Sequence, residues 1–307
     1  LDRTSSVALL HLQLAGTAMV WACAFVIGRA YGPEIAPHSF ALLRFAIATA
    51  FLGIVTWRLG ALAQVSPGRI PGLLALGLTG VFAYNALFFY GLQTVSAGRA
   101  ALLISANPAL TTIVATLLLG ETLRRPQALG CALAFAGAAV VVADGELPAL
   151  LAGEVGPGEL ALLGAVLSWS AYTLLGKRVL GRVDPLPTVM LSTAAGTVML
   201  AFPAFWVEGL ADKAAGFPPD IWAAAAFMGI AASGFGVVWY YHGIKTLGAA
   251  RTVVYIYLVP LFAAALEYVL LGEALTASAA AGGACVIAGV WLAGRDPQNV
   301  RRSSSSP

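Results

Sequence analysis

Charge is what this sequence has least of. Only 10% of its 307 residues are Asp, Glu, Lys or Arg, against about 25% in soluble domains, so an ordinary soluble domain is excluded. Cysteine is scarce too: Cys23, Cys131 and Cys285 each sit alone in an apolar run. That spacing offers neither metal ligation nor a disulfide framework, and inert buried thiols are the reading. The formal charge of +3 comes from scattered basic residues, which leaves no footprint for nucleic acid. Walker A, G-x-G-x-x-G after a strand, H-E-x-x-H and G-x-S-x-G are all missing, which weighs against an ATP-driven pump, a dehydrogenase and the common hydrolases. No cofactor or metal is expected.

Apolar residues make up 60% of the chain. A helix needs roughly 20 of them to cross a ~30 Å hydrocarbon core. Ten stretches qualify or nearly do: about 9–29, 38–57, 70–93, 98–119, 125–143, 159–177, 187–206, 220–244, 249–271 and 276–294. The expected fold is an all-α integral membrane protein of ten transmembrane helices. The first stretch does not read as a removed signal peptide, because Trp21, Gly28 and Arg29 stand where small residues would mark cleavage. With the N-terminus inside, thirteen of seventeen basic residues fall at cytoplasmic ends; Arg29, Arg99 and Lys213 face out and Arg44 lies within a span. That bias sets both termini in the cytoplasm, and the expected location is the cell inner membrane.

The chain also repeats itself. Tyr90 to Arg125 recurs 152 positions later, where Gly91 meets Gly243, Arg99 meets Arg251, Pro108 meets Pro260 and Gly120-Glu121 meets Gly272-Glu273. Upstream, at a shift of 148, Trp21 meets Trp169 and Pro37 meets Pro185. A duplication divides the chain into repeats at 1–148 and 149–297, followed by a disordered tail at 298–307. Five spans is an odd number, so the copies would insert with opposite orientation. Inverted repeats are an architecture of secondary transporters, with the substrate at their midplane interface.

The P-x11-G-E pattern of Pro108 to Glu121, its echo from Pro260 to Glu273, and the paired Trp spans resemble the EamA-type members of the drug/metabolite transporter superfamily. Within it the chain looks most like the YddG-type aromatic amino-acid exporters. The resemblance implies two inverted five-helix repeats around a central cavity lined mainly by spans 1, 3, 4, 6, 8 and 9. It also implies export of small metabolites by alternating access, without ATP.

Residue types narrow the candidates for that cavity. Trp21 and Trp169 occupy matching positions; indole rings there either pack and anchor or line the cavity, where they could stack on an aromatic substrate. Tyr84 and Phe88 share a helical face, and the adjacent Asn85 is either a substrate ligand or an interhelical bond. Tyr172, Trp239, Tyr240 and Tyr255 join the aromatic set, and Ser105 and Asn107 flank the first proline. Pro108 and Pro260 each free carbonyls near mid-span, as a hinge or a static kink. Arg44, Glu267 and His242 are the ionisable candidates for gating or coupling, with Arg44 and Glu267 at similar depth as a possible pair. The Gly-Glu steps read as helix-end geometry and not as ligands.

The leading expectation is therefore an exporter of aromatic and other neutral amino acids, with a small-molecule substrate and the lipid bilayer as its partners. Anionic phosphates would call for several intramembrane cations, and only Arg44 is one. Drug efflux remains the alternative within the class, although a cationic drug would prefer a midplane carboxylate. A membrane enzyme acting on lipid-linked substrates lacks a convergent acid, base and nucleophile. Small residues Gly130, Ala134 and Ala138 could bring two copies together, but a monomer is favoured.

Overall fold

The computed structural model describes residues 3–31, 34–64, 66–92, 95, 97–121, 123–143, 155–180, 183–271 and 276–294. The side chains of Arg99 and Glu267, among others, also lie outside that description. The described residues are helical with short connections and no strand. In order they form α1 (Arg3–Tyr31), α2 (Pro37–Arg58), α3 (Pro67–Gly91), α4 (Ala97–Ser105 then Asn107–Leu119) and α5 (Arg125–Ala143). There follow α6 (Pro157–Leu180), α7 (Pro185–Val207), α8 (Pro219–Leu247), α9 (Ala249–Leu271) and α10 (Ala277–Gly294).

Seven of these, namely α2, α3, α5, α6, α7, α8 and Ala249–Leu266 of α9, are long and apolar enough to cross a membrane. Ala8–Cys23, Leu103–Leu119 and Ala280–Ala293 are shorter apolar helices. Proline opens α2, α6, α7 and α8, where a missing N–H costs nothing. Many large apolar side chains are exposed, Leu117, Val198 and Val269 among them, as a hydrocarbon-facing surface requires. Trp57, Trp206, Trp222 and Trp291 are exposed near helix ends, where indoles settle at a membrane interface.

Helices related by the sequence shift make equivalent contacts. The α1–α8 contact is matched by α6–α3, α2–α8 by α7–α3, and α1–α9 by α6–α4. Two further pairs are their own mates, α2 with α7 and α5 with α10. Thr49 Oγ1 meets its own counterpart Thr197 Oγ1 at 3.1 Å. A Cβ on Gly137 would stand 2.6 Å from the Gly282 carbonyl, and one on Gly130 would stand 2.6 Å from that of Gly289. The shift exchanges those two contacts. Gly77 lies against Ser192 and Gly196 as Gly229 lies against Arg44 and Ala48. The small-residue stripe of α5 is thus spent on α10 inside the molecule.

Two carboxylates tie the halves together at helix starts. Glu121, just after α4, accepts from Lys177 Nζ and from the N–H groups of Ala249 and Ala250, both at 2.9 Å. The turn at Gly248 has φ +91°, and a Cβ there would meet Glu121 Oε1 at 3.1 Å, so only glycine fits the position. Glu208, just after α7, accepts from the N–H groups of His38 and Ser39 at 3.0 and 2.6 Å and from the Ser39 hydroxyl at 2.7 Å. Its Oε1 also lies 2.7 Å from His38 Nδ1. Each carboxylate satisfies orphan N–H groups at an N-terminus, where negative charge is favoured.

Burial alone pushes the Glu121 carboxyl up, but Lys177 and the two N–H groups outweigh it, and the net position is below the usual carboxylate range. Glu208 is likewise held low by Ser39 and His38 against burial. A carboxyl depressed in the folded state adds stability above its unfolded value of about 4.3, and loses it as pH falls through the folded value. Glu121→Gln should therefore lower stability by about 1–3 kcal/mol at neutral pH. Thermal unfolding in detergent should show the gap to wild type closing as pH drops below the ordinary carboxylate range. Gly137→Ala should lower the melting temperature measurably, since its Cβ meets backbone that cannot move aside. Gly53→Ala, which meets nothing within 4 Å, should not lower it.

Candidate functional site

Regular α-helix is interrupted within α3, α4, α8 and α9. Mid-span, α3 winds as a π-helix over Gly77–Ala83 and α8 does so over Met228–Gly236, near-coincident segments under the 152-residue shift. π-Segments are rare and concentrate at functional sites. They leave carbonyls that neighbouring side chains take up. Trp21 Nε1 donates to Ala232 O at 3.1 Å, Thr17 Oγ1 to Gly236 O at 3.1 Å, and Ser168 Oγ to Thr79 O at 2.8 Å. The prolines act one helix further on. The α4 helix breaks at Ala106 before Pro108, and α9 tightens to a 3-10 turn over Val254–Tyr257 before Pro260.

Between α1, α3, α6 and α8 lies an aromatic cluster centred on Trp169. The Trp21 ring meets it edge-on at 5.3 Å, Tyr84 lies at 5.1 Å, Tyr172 at 5.3 Å and Tyr240 at 5.9 Å. Trp21 and Tyr240 are 5.4 Å apart, and Phe88 extends the cluster by stacking on Tyr84 at 5.8 Å and 7°. Tilted and edge-on rings at such distances are each worth about 0.5–1.5 kcal/mol beyond burial. Tyr172 and Tyr240 are fully enclosed, and the Tyr240 hydroxyl pairs with Thr173 Oγ1 at 2.9 Å. Trp169 Nε1 is buried and has no well-formed hydrogen bond.

One end of the cluster carries the charge. Arg44, two turns into α2, donates from Nη2 to Asn85 Oδ1 at 2.6 Å, and Asn85 Nδ2 donates to Val81 O at 2.5 Å. The guanidinium carbon lies 4.5 Å from the Phe45 ring centroid, and Tyr84 is near enough to interact with it electrostatically. Arg44 Nε is buried without a partner, and no described carboxylate pairs with the group. The expected pairing with Glu267 involves a side chain outside the described residues.

The remaining candidates lie outside this group. Trp239 turns away, with its ring against Gly16 and Phe235. Asn107 donates from Nδ2 to Val166 O at 2.9 Å and accepts from Thr111 at 3.2 Å, which makes it a bridge between α4 and α6. Ser105 is buried beside it in sequence. Tyr255 is bonded through its hydroxyl to His11 Nδ1, a histidine that sequence reasoning passed over. His242 is exposed and pairs with Gln13 Oε1 at 3.1 Å. The π-segments were also missed, although the recurring glycines at 77 and 229 carried a signal of them.

Two separate stretches, residues 9–143 and 156–295, match the model of the EamA-like transporter family. A "probable terminal-alkyne amino-acid exporter" of Streptantibioticus cattleyicolor is 32% identical over 95% of this chain and 95% of its own. An uncharacterized transporter of Archaeoglobus fulgidus is 32% identical over 92% of this chain and 96% of its own. The uncharacterized transporter YyaM of Bacillus subtilis is 28% identical over 92% and 93% respectively. One solved crystal structure superposes with a TM-score of 0.74 at 21% identity, over 92% of this chain and 96% of its own, a likeness of fold alone. Matched in both halves by the family model and along nearly its whole length by named transporters, the chain belongs to the EamA-like transporter family of the drug/metabolite transporter superfamily.

Proposed function

We propose that this membrane transporter exports aromatic and other neutral amino acids across the inner membrane. The path runs between two inverted five-helix repeats, ten spans with both termini in the cytoplasm, and opens alternately to either side. The observation that carries the reading is the aromatic cluster around Trp169, built from α1, α3, α6 and α8. Those helices include both mates of the α1–α8 and α6–α3 contacts, the place where an inverted-repeat transporter holds its substrate.

The chemistry of the cluster favours a flat apolar group. Ring faces and edges accept another ring at little desolvation cost, and Trp169 adds an indole N–H without a well-formed hydrogen bond. The relative named as an amino-acid exporter, 32% identical over nearly the full length, points to the same substrate class. In the state described the rings touch one another, so a substrate passes only when they part. Efflux of cationic drugs is less well served, because the buried charge beside the cluster is positive.

Purified protein in proteoliposomes loaded with unlabelled phenylalanine should accumulate labelled phenylalanine by counterflow. Trp169→Leu should reduce that flux about three- to tenfold, the equivalent of ~0.5–1.5 kcal/mol of ring contact. Trp239→Leu, which removes a ring facing away from the cluster, should change it less than about twofold. Equal effects from the two variants, or no flux of any neutral amino acid through folded protein, would sink the reading.

A further inference from the structure

Two buried donors at this site lack a well-formed hydrogen bond among the described residues, although the Trp169 indole N–H lies within reach of the Tyr240 hydroxyl. Among the described residues three buried side-chain polar atoms lack such a bond: Arg44 Nε, Trp169 Nε1 and Thr112 Oγ1. The third is elsewhere, lining a cavity of about 10 Å³ with Cys131 and Val254. The other two flank Tyr84, whose ring lies 5.1 Å from that of Trp169 and whose hydroxyl interacts with Arg44. Buried N–H groups are almost always satisfied, and leaving one unpaired is costly. Both orphans are donors, and one belongs to a cation.

The charge makes the shortage sharper. Among the described residues Arg44 lies against neutral groups: the Asn85 amide oxygen, the Phe45 ring and the Tyr84 phenol. A guanidinium inside a protein ordinarily sits against a carboxylate or phosphate, to which its fork presents parallel N–H bonds. Here Nη2 is taken by Asn85, and Nε, its neighbour on the same edge of the guanidinium, has no partner. Symmetry singles the residue out as well. The 148-residue shift carries Arg44 onto Ser192, whose hydroxyl bonds to Val189 O at 3.1 Å, so the second repeat has no matching cation.

We infer that Arg44 is the anchor for the substrate's carboxylate. Resting on the export reading above, this fixes the recognised group as an α-carboxylate with its apolar side chain laid against Tyr84, Phe88 and Trp169. Arg44 Nε–H would donate to one carboxylate oxygen and Asn85 would hold the guanidinium plane in place. Because only the first repeat supplies the cation, the carboxylate end always points to the α2–α3 junction. A monoanionic carboxylate matches one cation, whereas a phosphate ester would bring a second charge that nothing here offsets.

The test needs substrates that differ only in that group. Tryptophan-fluorescence titration of the full-length protein in detergent should show phenylalanine binding at least about tenfold tighter than phenylalaninamide. Arg44→Gln should remove most of that difference while leaving the amide's own affinity within about twofold. Asn85→Asp gives a second arm that does not depend on removing the cation. It places an internal carboxylate where Asn85 Oδ1 now meets Arg44 at 2.6 Å. This variant should keep or raise the melting temperature and yet lose phenylalanine binding at least about tenfold. An arginine with a purely structural role would be stabilised by Asn85→Asp without any loss of binding, and that result overturns the assignment. Equal wild-type affinity for acid and amide overturns it too, and leaves the export reading standing if counterflow is intact. If wild-type protein neither binds nor carries any neutral amino acid, the export reading itself falls.

Discussion

A backbone carbonyl inside hydrocarbon must find its donor within the protein, and that constraint governs the mid-span departures from regular helix in α3 and α8. Where α3 and α8 widen into π-helix, Ser168, Trp21 and Thr17 reach across to the carbonyls of Thr79, Ala232 and Gly236. The donors come from α6 and α1, the helices that bound the aromatic cluster. The irregular backbone and the ring cluster are therefore one structure. Trp21 can stand beside Trp169 because its N–H has a carbonyl to hold, and that carbonyl is available because α8 is irregular there.

Near-symmetry makes the exceptions informative. Glycine contacts between α5 and α10, the seating of Gly77 and Gly229, and the Thr49–Thr197 pair all obey the exchange of halves. Against that background Trp21 and Trp169 part company, since one indole N–H is satisfied and the other is not. Arg44 and Ser192 differ in charge outright. A substrate with two unlike ends needs a site with two unlike ends, and a duplicated scaffold provides that only where the copies have diverged.

Much of this was legible in the residues. Apolar runs, the shared register of Arg, Pro and Gly-Glu, and the paired tryptophans pointed to the helical architecture and to the centre of the cluster. Tyr84, Phe88, Trp169, Tyr172 and Tyr240 come together as ring-bearing positions on neighbouring helices. What the sequence hid was direction and partnership. Trp239 is adjacent to Tyr240 in the chain, but one step along a helix turns a side chain by about 100°, and it faces Gly16 instead. Asn85 and Asn107 looked alike as buried amides; one holds a cation and the other a carbonyl, a distinction set by helices far away in the chain. The π-segments were invisible to hydropathy, because widening a helix by one residue leaves its composition unchanged.

The same contacts indicate where such a molecule can give. At α5–α10 and at the seating of α3 on α7 and α8 on α2, glycines bring backbone within 2.6 Å of where a Cβ would be. Surfaces packed that closely do not slide without losing dispersion contact along their whole length. Glu121 and Glu208 add charge-assisted clamps from one half to the other at α9 and α2. The ring cluster is different, since its members meet at centroid distances of 5.1 to 5.9 Å through edges and tilted faces. An incoming aromatic side chain can replace those contacts one for one. Separation therefore costs least at the cluster, and the closely packed α5–α10, α3–α7 and α8–α2 contacts are the ones that hold.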